Sequence, residues 1–514
     1  MKKNYALILL LICSFEVFGQ VKISNNHTVM FEKRLGKYSG LPKNYDFLGE
    51  YNGNYYLLLD NKNVCKVSQD TKKVTTFETE ELEEEILFNF QGDDYIGLIS
   101  IKETKISLEV KKHTLNTSDN TLSAKTLRMF EVEKKSGMRY MTATSDDKSK
   151  KVAVVTEVLN KKAGYNGSFV FVFDETGDIL TYAKIFPTFK GSRFSFDDVA
   201  VSNEGVVYLL ASSTSYNKQG FIDASYLELL KIEDSAVSEK IVKQYPFKGV
   251  RDTKIKLLSG ERIFITGYYK SSAGYQKEKK HDGHFTLMFD ASLDDEGFTY
   301  KDYEPNTGKL KKKDRLYSKA IQSIHELSDG SIVVFGEERI ITYIVVKYSS
   351  FYELQARNIV MDTYTPDGKH EKTQVIRKEQ MIPSVSSGYY KRTLQMQDII
   401  YELKHLPISF NVIKVDDKFL VFYNDHIENN IVPNEPKTKQ LVTKAFKKYG
   451  VTVVCSIEED VTEQKILIDA KAEERIFFDV LDCKDNEALI LTLYNDGKVW
   501  DGVDGTLLFE KLTW

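Results

Sequence analysis

Val199–Ser212 reads VAVSNEGVVYLLAS: an apolar run, a polar turn containing Gly205, and a second apolar run. The same design returns in IKLLSGERIFITGY from Ile255 and IHELSDGSIVVFGE from Ile324. Looser copies begin at Phe47, Ile86, Tyr140, Phe410 and Phe478, so that eight such units follow one another. Each reads as a β-hairpin, because Asn-Gly, Asn-Glu-Gly, Asp-Gly or Asp-Asp stands at its tip, where a positive φ or an Asx turn is required.

A second, more polar hairpin follows most of these units: 168–185, 226–245, 285–303 and 359–376. One unit is therefore four strands. The inner strands are apolar at nearly every position, as strands covered on both faces must be, and the outer ones alternate and carry Lys and Glu, which discourage edge pairing. Such a sheet cannot bury both of its faces alone. Stacking like sheets around an axis buries them all, so the expected fold is an all-β, single-domain β-propeller of eight four-stranded blades over 20–514. Seven blades, with 404–514 sharing one distorted sheet, is the alternative. Helical periodicity competes in two places, 389–406 and 436–449. After the eighth hairpin, 505–514 supplies a single further strand, which leaves the last blade one short. HTVMFEKRL (27–35) is the expected N-terminal strand that completes it and closes the ring.

In its architecture the chain resembles secreted bacterial β-propeller proteins without an assigned activity. The resemblance covers nearly everything after the N-terminal segment and rests on the repeat, not on a motif. The Trp-Asp pair of WD repeats and the paired glycines of kelch repeats are absent from the blade ends. It implies the fold and no particular partner.

MKKNYALILLLICSFEVFGQ opens the chain. Lys2 and Lys3 precede an apolar stretch from Tyr5 to Phe15, and Val17 and Gly19 stand at −3 and −1 of a cut before Gln20. This is the pattern of an export signal over 1–19. A lipoprotein reading through Cys13 is disfavoured by Ile12, where a small residue is needed. The expected location is outside the cytoplasm: periplasm, outer-membrane associated or secreted. No later apolar run has the length of a membrane span. Cys65, Cys455 and Cys483 remain after the cut, an odd number, and the strand-like settings of the first two suit small buried side chains.

The net charge of −4 is not that of a nucleic-acid-binding domain. No phosphate-cradling glycine loop, EF-hand spacing, GxSxG or HExxH occurs, so no cofactor is expected. His281 and His284 in HDGH are a short pair without a third ligand at a recognised spacing. The acidic pairs Asp93-Asp94, Asp146-Asp147 and Asp416-Asp417 fall at hairpin tips as turn formers. Asp197 and Asp198 do not: they precede an innermost strand near the channel mouth, with Arg193 beside them. They are the candidate pair for a channel site.

Strands of a blade alternate in direction, so the connections between strands one and two and between three and four share one face. Those between strands two and three, and from blade to blade, share the other. The first set is tight turns. The second is long: 157–167, 213–224, 269–284, 339–355 and the connectors 304–319 and 379–406. Long connections in compact folds commonly carry function. These hold Tyr165, Tyr216, Tyr275, Tyr343, Tyr348, Tyr352, Tyr389 and Tyr390, with lysines close by. Tyrosine with cationic neighbours offers rigid amphipathic contact area. The chain therefore reads as a non-catalytic binding or scaffold module that meets a protein partner, or a glycan, through this face. The alternative is a carbohydrate-binding protein or enzyme with its site at the channel mouth.

Overall fold

The computed structural model describes residues 22–24, 45–59, 63–68, 74–78, 85–104, 107–131, 137–145, 150–160, 165–185, 193–216, 222–246, 249–270, 283–302, 318–346, 349–386, 410–429, 441–442, 449–458, 461–469, 471, 475–484, 487–495 and 505–513. Among these the chain is almost entirely strand. Seven four-stranded sheets and one six-stranded sheet make up an eight-bladed β-propeller. The innermost strands are Tyr45–Tyr51, Glu85–Gln91, Gly137–Thr144, Arg193–Val201, Gly249–Leu257, Ser318–Glu326, Phe410–Val415 and Arg475–Lys484, one for each expected unit. The seven-bladed alternative fails because the last hundred residues hold two complete inner hairpins, Phe410–His426 and Arg475–Asn495, in separate sheets. No helix among the described residues is long and apolar enough to cross a membrane.

Contacts divide the described residues into two units, one within 79–336 and 361–373, the other within 1–78, 337–360 and 374–514. The first holds blades two to five and the inner part of blade six. Its packing follows from strand geometry, which points successive side chains to opposite faces. In the second strand of blade three, Val152 and Val154 join the core shared with blade two, and Ala153 and Val155 join the core shared with blade four. In the third strand, Phe169, Phe171 and Phe173 go one way and Val170 and Val172 the other. Blade four repeats this. Val207, Leu209 and Ala211 face blade three, and Tyr208 and Leu210 face blade five. Blade five continues it, with Ile263 and Ile265 facing back and Phe264 and Tyr268 facing blade six.

The seams are filled to contact. Phe130 lies 5.2 Å from both Phe169 and Phe171, and Phe88 lies 5.1 Å from Phe173, measured between ring centroids. The Phe90 ring occupies the place that a Cβ would need at Gly97 and at Gly177, and Gly177 also has a φ of +78°. Three polar ties to outer turns run the same way along these seams. Lys112 Nζ donates to the Thr176 carbonyl at 2.5 Å, Lys231 Nζ to the Ala291 carbonyl at 3.1 Å, and Thr286 Oγ1 to the Gly368 carbonyl at 2.7 Å. In each case a third-strand side chain holds the outer turn of the next blade. Those turns are built locally, since Asp174 Oδ1 accepts from the amides of Thr176 and Asp178, and Asp290 Oδ1 from those of Ser292 and Asp294.

The second unit holds blades seven, eight and one. Ile413, Leu420, Phe422, Val454 and Ile468 of blade seven pack on Phe477, Ala488, Ile490 and Leu512 of blade eight. Asn424 Nδ2 donates to the Phe477 carbonyl at 2.7 Å and the Phe477 amide donates to Thr452 Oγ1 at 3.0 Å, so blade seven grips the backbone of the innermost strand of blade eight. In blade eight, Lys22–Ser24 is the fourth strand, antiparallel to Lys511–Thr513. An N-terminal strand closes the last blade, as expected, and the pairing segment lies upstream of 27–35, which is outside the described residues.

Several strands run further than their apolar pattern. Leu159 pairs with Asn166 and Asn160 with Tyr165, and Ser215 pairs with Ala224, so much of 157–167 and 213–224 is ladder instead of loop. The stretch 339–355, expected as a loop, belongs to two strands of 15 and 16 residues, Ile332–Val346 and Ser349–Tyr364. Within 436–449, Leu441–Val442 is extended and pairs in parallel with Gln380–Met381, so the helical expectation fails at these two residues. Cys65 and Cys455 are buried, Cys483 is exposed, and all three are free thiols. Burial pushes the Cys455 thiol up to about 12.

Truncating a residue committed to one seam tests this packing. Phe171→Ala is expected to lower unfolding stability by about 3–5 kcal/mol in urea titration. Met129→Ala, on an exposed outer strand, should stay within about 0.5 kcal/mol of the wild type.

Candidate functional site

Asp197 and Asp198 sit at a β-bulge of the innermost strand of blade four, where the register with the second strand slips between Phe196 and Asp198. The bulge sends adjacent side chains to different partners. Ser212 Oγ donates to Asp197 Oδ2. Asp198 reaches the innermost strand of blade five: it accepts from the Ile255 amide at 3.0 Å and pairs with Lys254 Nζ at 3.3 Å. One seam further on, Asp252, itself within a register slip and at a φ of +53°, accepts from the Ile321 amide. Asp198 and Asp252 therefore join consecutive innermost strands. Desolvation outweighs the help of Lys254 and the Ile255 amide, and holds the Asp198 carboxyl above the usual carboxylate range. Buried Tyr245 is pushed well above its ordinary value by burial first and by Asp197 second. Asp197 is thus engaged within its own blade and Asp198 across the seam to blade five.

Blade six departs from the repeat. Its second and third strands, Ile332–Val346 and Ser349–Tyr364, far outrun its innermost strand of 9 residues. They extend at the end that carries the two-to-three connections and form a ribbon. Gln380–Ser386 pairs antiparallel with the early part of the third strand, Phe351 opposite Ser386, and Leu441–Val442 adds to its far edge. The outer strand His370–Ile376 pairs with that same third strand. One strand thus carries two successive partners along a single edge.

The ribbon's base is held by charge. Glu337, Arg339 and Lys378 are all buried, at 0%, 5% and 1% exposure. Glu337 takes Lys378 Nζ on Oε1 at 2.6 Å and Arg339 Nε on Oε2 at 2.7 Å. Lys378 also donates to Gln380 Oε1 at 2.9 Å, and Gln380 Nε2 donates to the Asn424 carbonyl of blade seven at 2.6 Å. Asp425, fully buried, accepts from the His426 amide at 2.8 Å and from Asn429 Nδ2 at 2.9 Å. Towards solvent, Arg357 pairs with Glu379 at 3.1 Å and Asn358 donates to Glu338 at 2.8 Å. Burial alone would lift the Glu337 carboxyl, but Lys378 and Arg339 hold it below its usual value. Burial pushes the Lys378 ammonium down, opposed by Glu337 and Asp425.

Of the other sequence candidates, Tyr165 opens the third strand of blade three and Tyr216 closes the second strand of blade four, at the same end of successive blades. Tyr343 and Tyr352 lie in the ribbon, Tyr352 opposite Val385. Arg193 begins the innermost strand of blade four. Tyr275, Tyr348, Tyr389 and Tyr390 fall outside the described residues, as does His281. His284 is buried in the seam with blade six, its ring 4.7 Å from that of His370. Sequence reasoning missed the buried charge cluster. Its signal was present: Glu337, Glu338 and Arg339 interrupt VVFGEERIITYIVV, where the repeat demands apolar residues.

Two substitutions probe these arrangements. Lys378→Met leaves buried Glu337 with one cation and is expected to cost about 3–5 kcal/mol in chemical denaturation, most of it recovered when Glu337→Leu and Arg339→Met are added; a single variant as stable as the wild type would mean the cluster does not hold the ribbon. For Asp198 the folded pKa lies above the unfolded one, so the native state binds more protons in that window and loses stability as pH rises through it. Asp198→Asn should therefore gain on the wild type in melting temperature as pH rises above the ordinary aspartate value of about 4, and an opposite trend would show that the Lys254 pairing dominates.

No family model matches the chain, and no curated protein matches it in sequence. Among solved structures, it is similar to the dihydro-heme d1 dehydrogenase NirN in complex with DHE (10% identity, 95% of this chain and 79% of that one, TM-score 0.37). It is also similar to the β-propeller domain of the Trilobed protease from Pyrococcus furiosus, which has an open velcro topology (11% identity, 84% and 98%, TM-score 0.31). A third is a protein of unknown function from Bacteroides caccae (9% identity, 64% and 93%, TM-score 0.24). The eight-bladed fold rests on the strand pairing, and at these scores none of the three carries an argument about activity.

Proposed function

We propose that the protein is exported and acts as a non-catalytic binding or scaffold module, which meets a protein partner at the end of the blades bearing the two-to-three connections. The ribbon of blade six carries this reading. A propeller blade needs four strands to bury its faces. The ribbon goes beyond that need, and buried charges hold it in place. Such charges cost desolvation and are seldom retained for stability alone. A stiff extension of the sheet suits a partner surface better than it suits a reaction. Tyr343, Tyr348 and Tyr352 fall within this stretch of the sequence, and tyrosine supplies contact area at small entropic cost. The engagement of Asp197 within its blade and of Asp198 across the seam speaks against a catalytic pair there.

Export rests on the charge, length and cut-site pattern of residues 1–19. The first described strand starts at Lys22, so processing before Gln20 would leave it whole.

Replacing residues 343–352 with an Asn-Gly turn shortens the ribbon and removes all three tyrosines. Affinity capture from cell envelopes is expected to recover a specific protein with the wild type and with Asp198→Asn, and to lose it with the shortened ribbon. Equal recovery by all three would refute the ribbon as the contact. N-terminal sequencing of the purified protein should begin at Gln20, and a retained Met1 would refute export by this route.

A further inference from the structure

Three polar side chains interrupt the apolar seam between blades three and four. Ser168, Ser213 and Glu228 are each fully buried. They stand on its facing walls. Ser168, in the third strand of blade three, is directly opposite Ile185 and two residues from Val170, and both of these belong to the core shared with blade four. Ser213, in the second strand of blade four, lies two residues from Ala211 of that core. Glu228, in the third strand, is directly opposite Ala211 and two residues from Leu230. Alternation along a strand therefore turns all three side chains into one seam. The serines also share its end. Ser168 is three residues from Tyr165, where its strand opens, and Ser213 is three residues from Tyr216, where its strand closes.

Side chains are small in this seam. Ala153, Ala183 and Ala211 lie in its core, whereas the core shared by blades two and three holds Phe169, Phe171 and Phe173 and no buried alanine. Serine and alanine reach less far than phenylalanine into the space between packed sheets, which is about 10 Å.

Other buried hydroxyls of these blades are bonded within the protein. Thr156 Oγ1 donates to the Phe169 carbonyl at 3.4 Å, and Thr266 Oγ1 to the Phe285 carbonyl at 3.0 Å. Among the described residues, the hydroxyls of Ser168 and Ser213 have no such partner. Glu228 takes Lys240 Nζ on Oε2 at 3.2 Å. A hydroxyl that leaves water without a replacement hydrogen bond is costly. Two of them beside a buried carboxylate share one remedy, because an internal water typically makes about three hydrogen bonds.

We infer that Ser168, Ser213 and Glu228 form an internal water site, in which one bound water accepts from the two serine hydroxyls and donates to the Glu228 carboxylate, tying blade three to blade four through the apolar seam.

Urea titration of Ser168→Ala, Ser213→Ala and the double variant, beside high-resolution crystal structures of the wild type and the double variant, tests the site. A shared water predicts a lower midpoint for each single variant, and a loss in the double variant smaller than the sum of the two. The wild-type crystal should show one water within hydrogen-bond distance of both hydroxyls and of the Glu228 carboxylate, and the double variant should lack it. Single variants with midpoints at or above the wild type overturn the proposal, since deleting an unpaired buried hydroxyl relieves a cost instead of adding one. Additive losses overturn it too, as does a crystal in which each hydroxyl is turned onto a backbone carbonyl. A midpoint that rises with sodium at fixed ionic strength in the wild type, and not in the double variant, would make the occupant a cation and overturn the water.

Discussion

Everything in the molecule depends on a division of labour between neighbouring residues. In the central strands, odd and even side chains serve different cores: Val154 and Phe171 face blade two, and Val155 and Val170 face blade four. No described blade core is private. A sheet removed from this arrangement would expose two apolar faces at once, each buried core side chain giving up about 1.5–3 kcal/mol of transfer free energy. Stability of this kind is a property of adjacent pairs, as in other repeat architectures. It also explains why the inner hairpins look alike while the connections do not.

Polar groups enter this apolar arrangement where they settle register. The aspartates at the bulges of blades four and five reach the innermost-strand amides of the next blade, and Asn424 and Thr452 together hold Phe477 by its backbone. Each of these contacts fixes how far one sheet may slide past the next, something that non-directional apolar contact leaves loose. The cluster of Glu337, Arg339 and Lys378 does the same for an element outside the repeat. Ionic contacts are demanding in geometry, and that demand suits the base of a projection whose direction has to be constant.

The eight units, their order and their inner and outer hairpins were legible because burial on both faces leaves an uninterrupted apolar record, and turns leave Gly and Asp. Strand ends were not. Asn160 with Tyr165 and Ser215 with Ala224 are paired through backbone groups that every residue type possesses, so side-chain pattern falls silent there. The ribbon was misjudged for a related reason: RIITYIVVKYSSFYELQ mixes apolar, aromatic and hydroxyl residues over a length greater than any single blade strand. The three residues KIS described for the closing strand show no period at all. Asp197 and Asp198 stand at a β-bulge of an innermost strand, apart from the turn aspartates. Their use could not be read, because Lys254 and the Ile255 amide belong to another unit of the repeat. Glu337 and Lys378 were passed over since charge in a sequence ordinarily signals solvent.

The one-way ties between blades have a consequence for how such a chain can change in length. Lys112, Lys231 and Thr286 each hold the outer turn of the following blade, and in blade five the outer turn also serves the preceding one. A blade of this kind carries a plug on one side and a socket on the other. Duplicating or deleting a whole unit leaves every remaining plug with a socket to enter, whereas cutting within a unit strands one of each. Gain and loss of complete modules is thus the gentle route by which a gene of this type would vary its blade number.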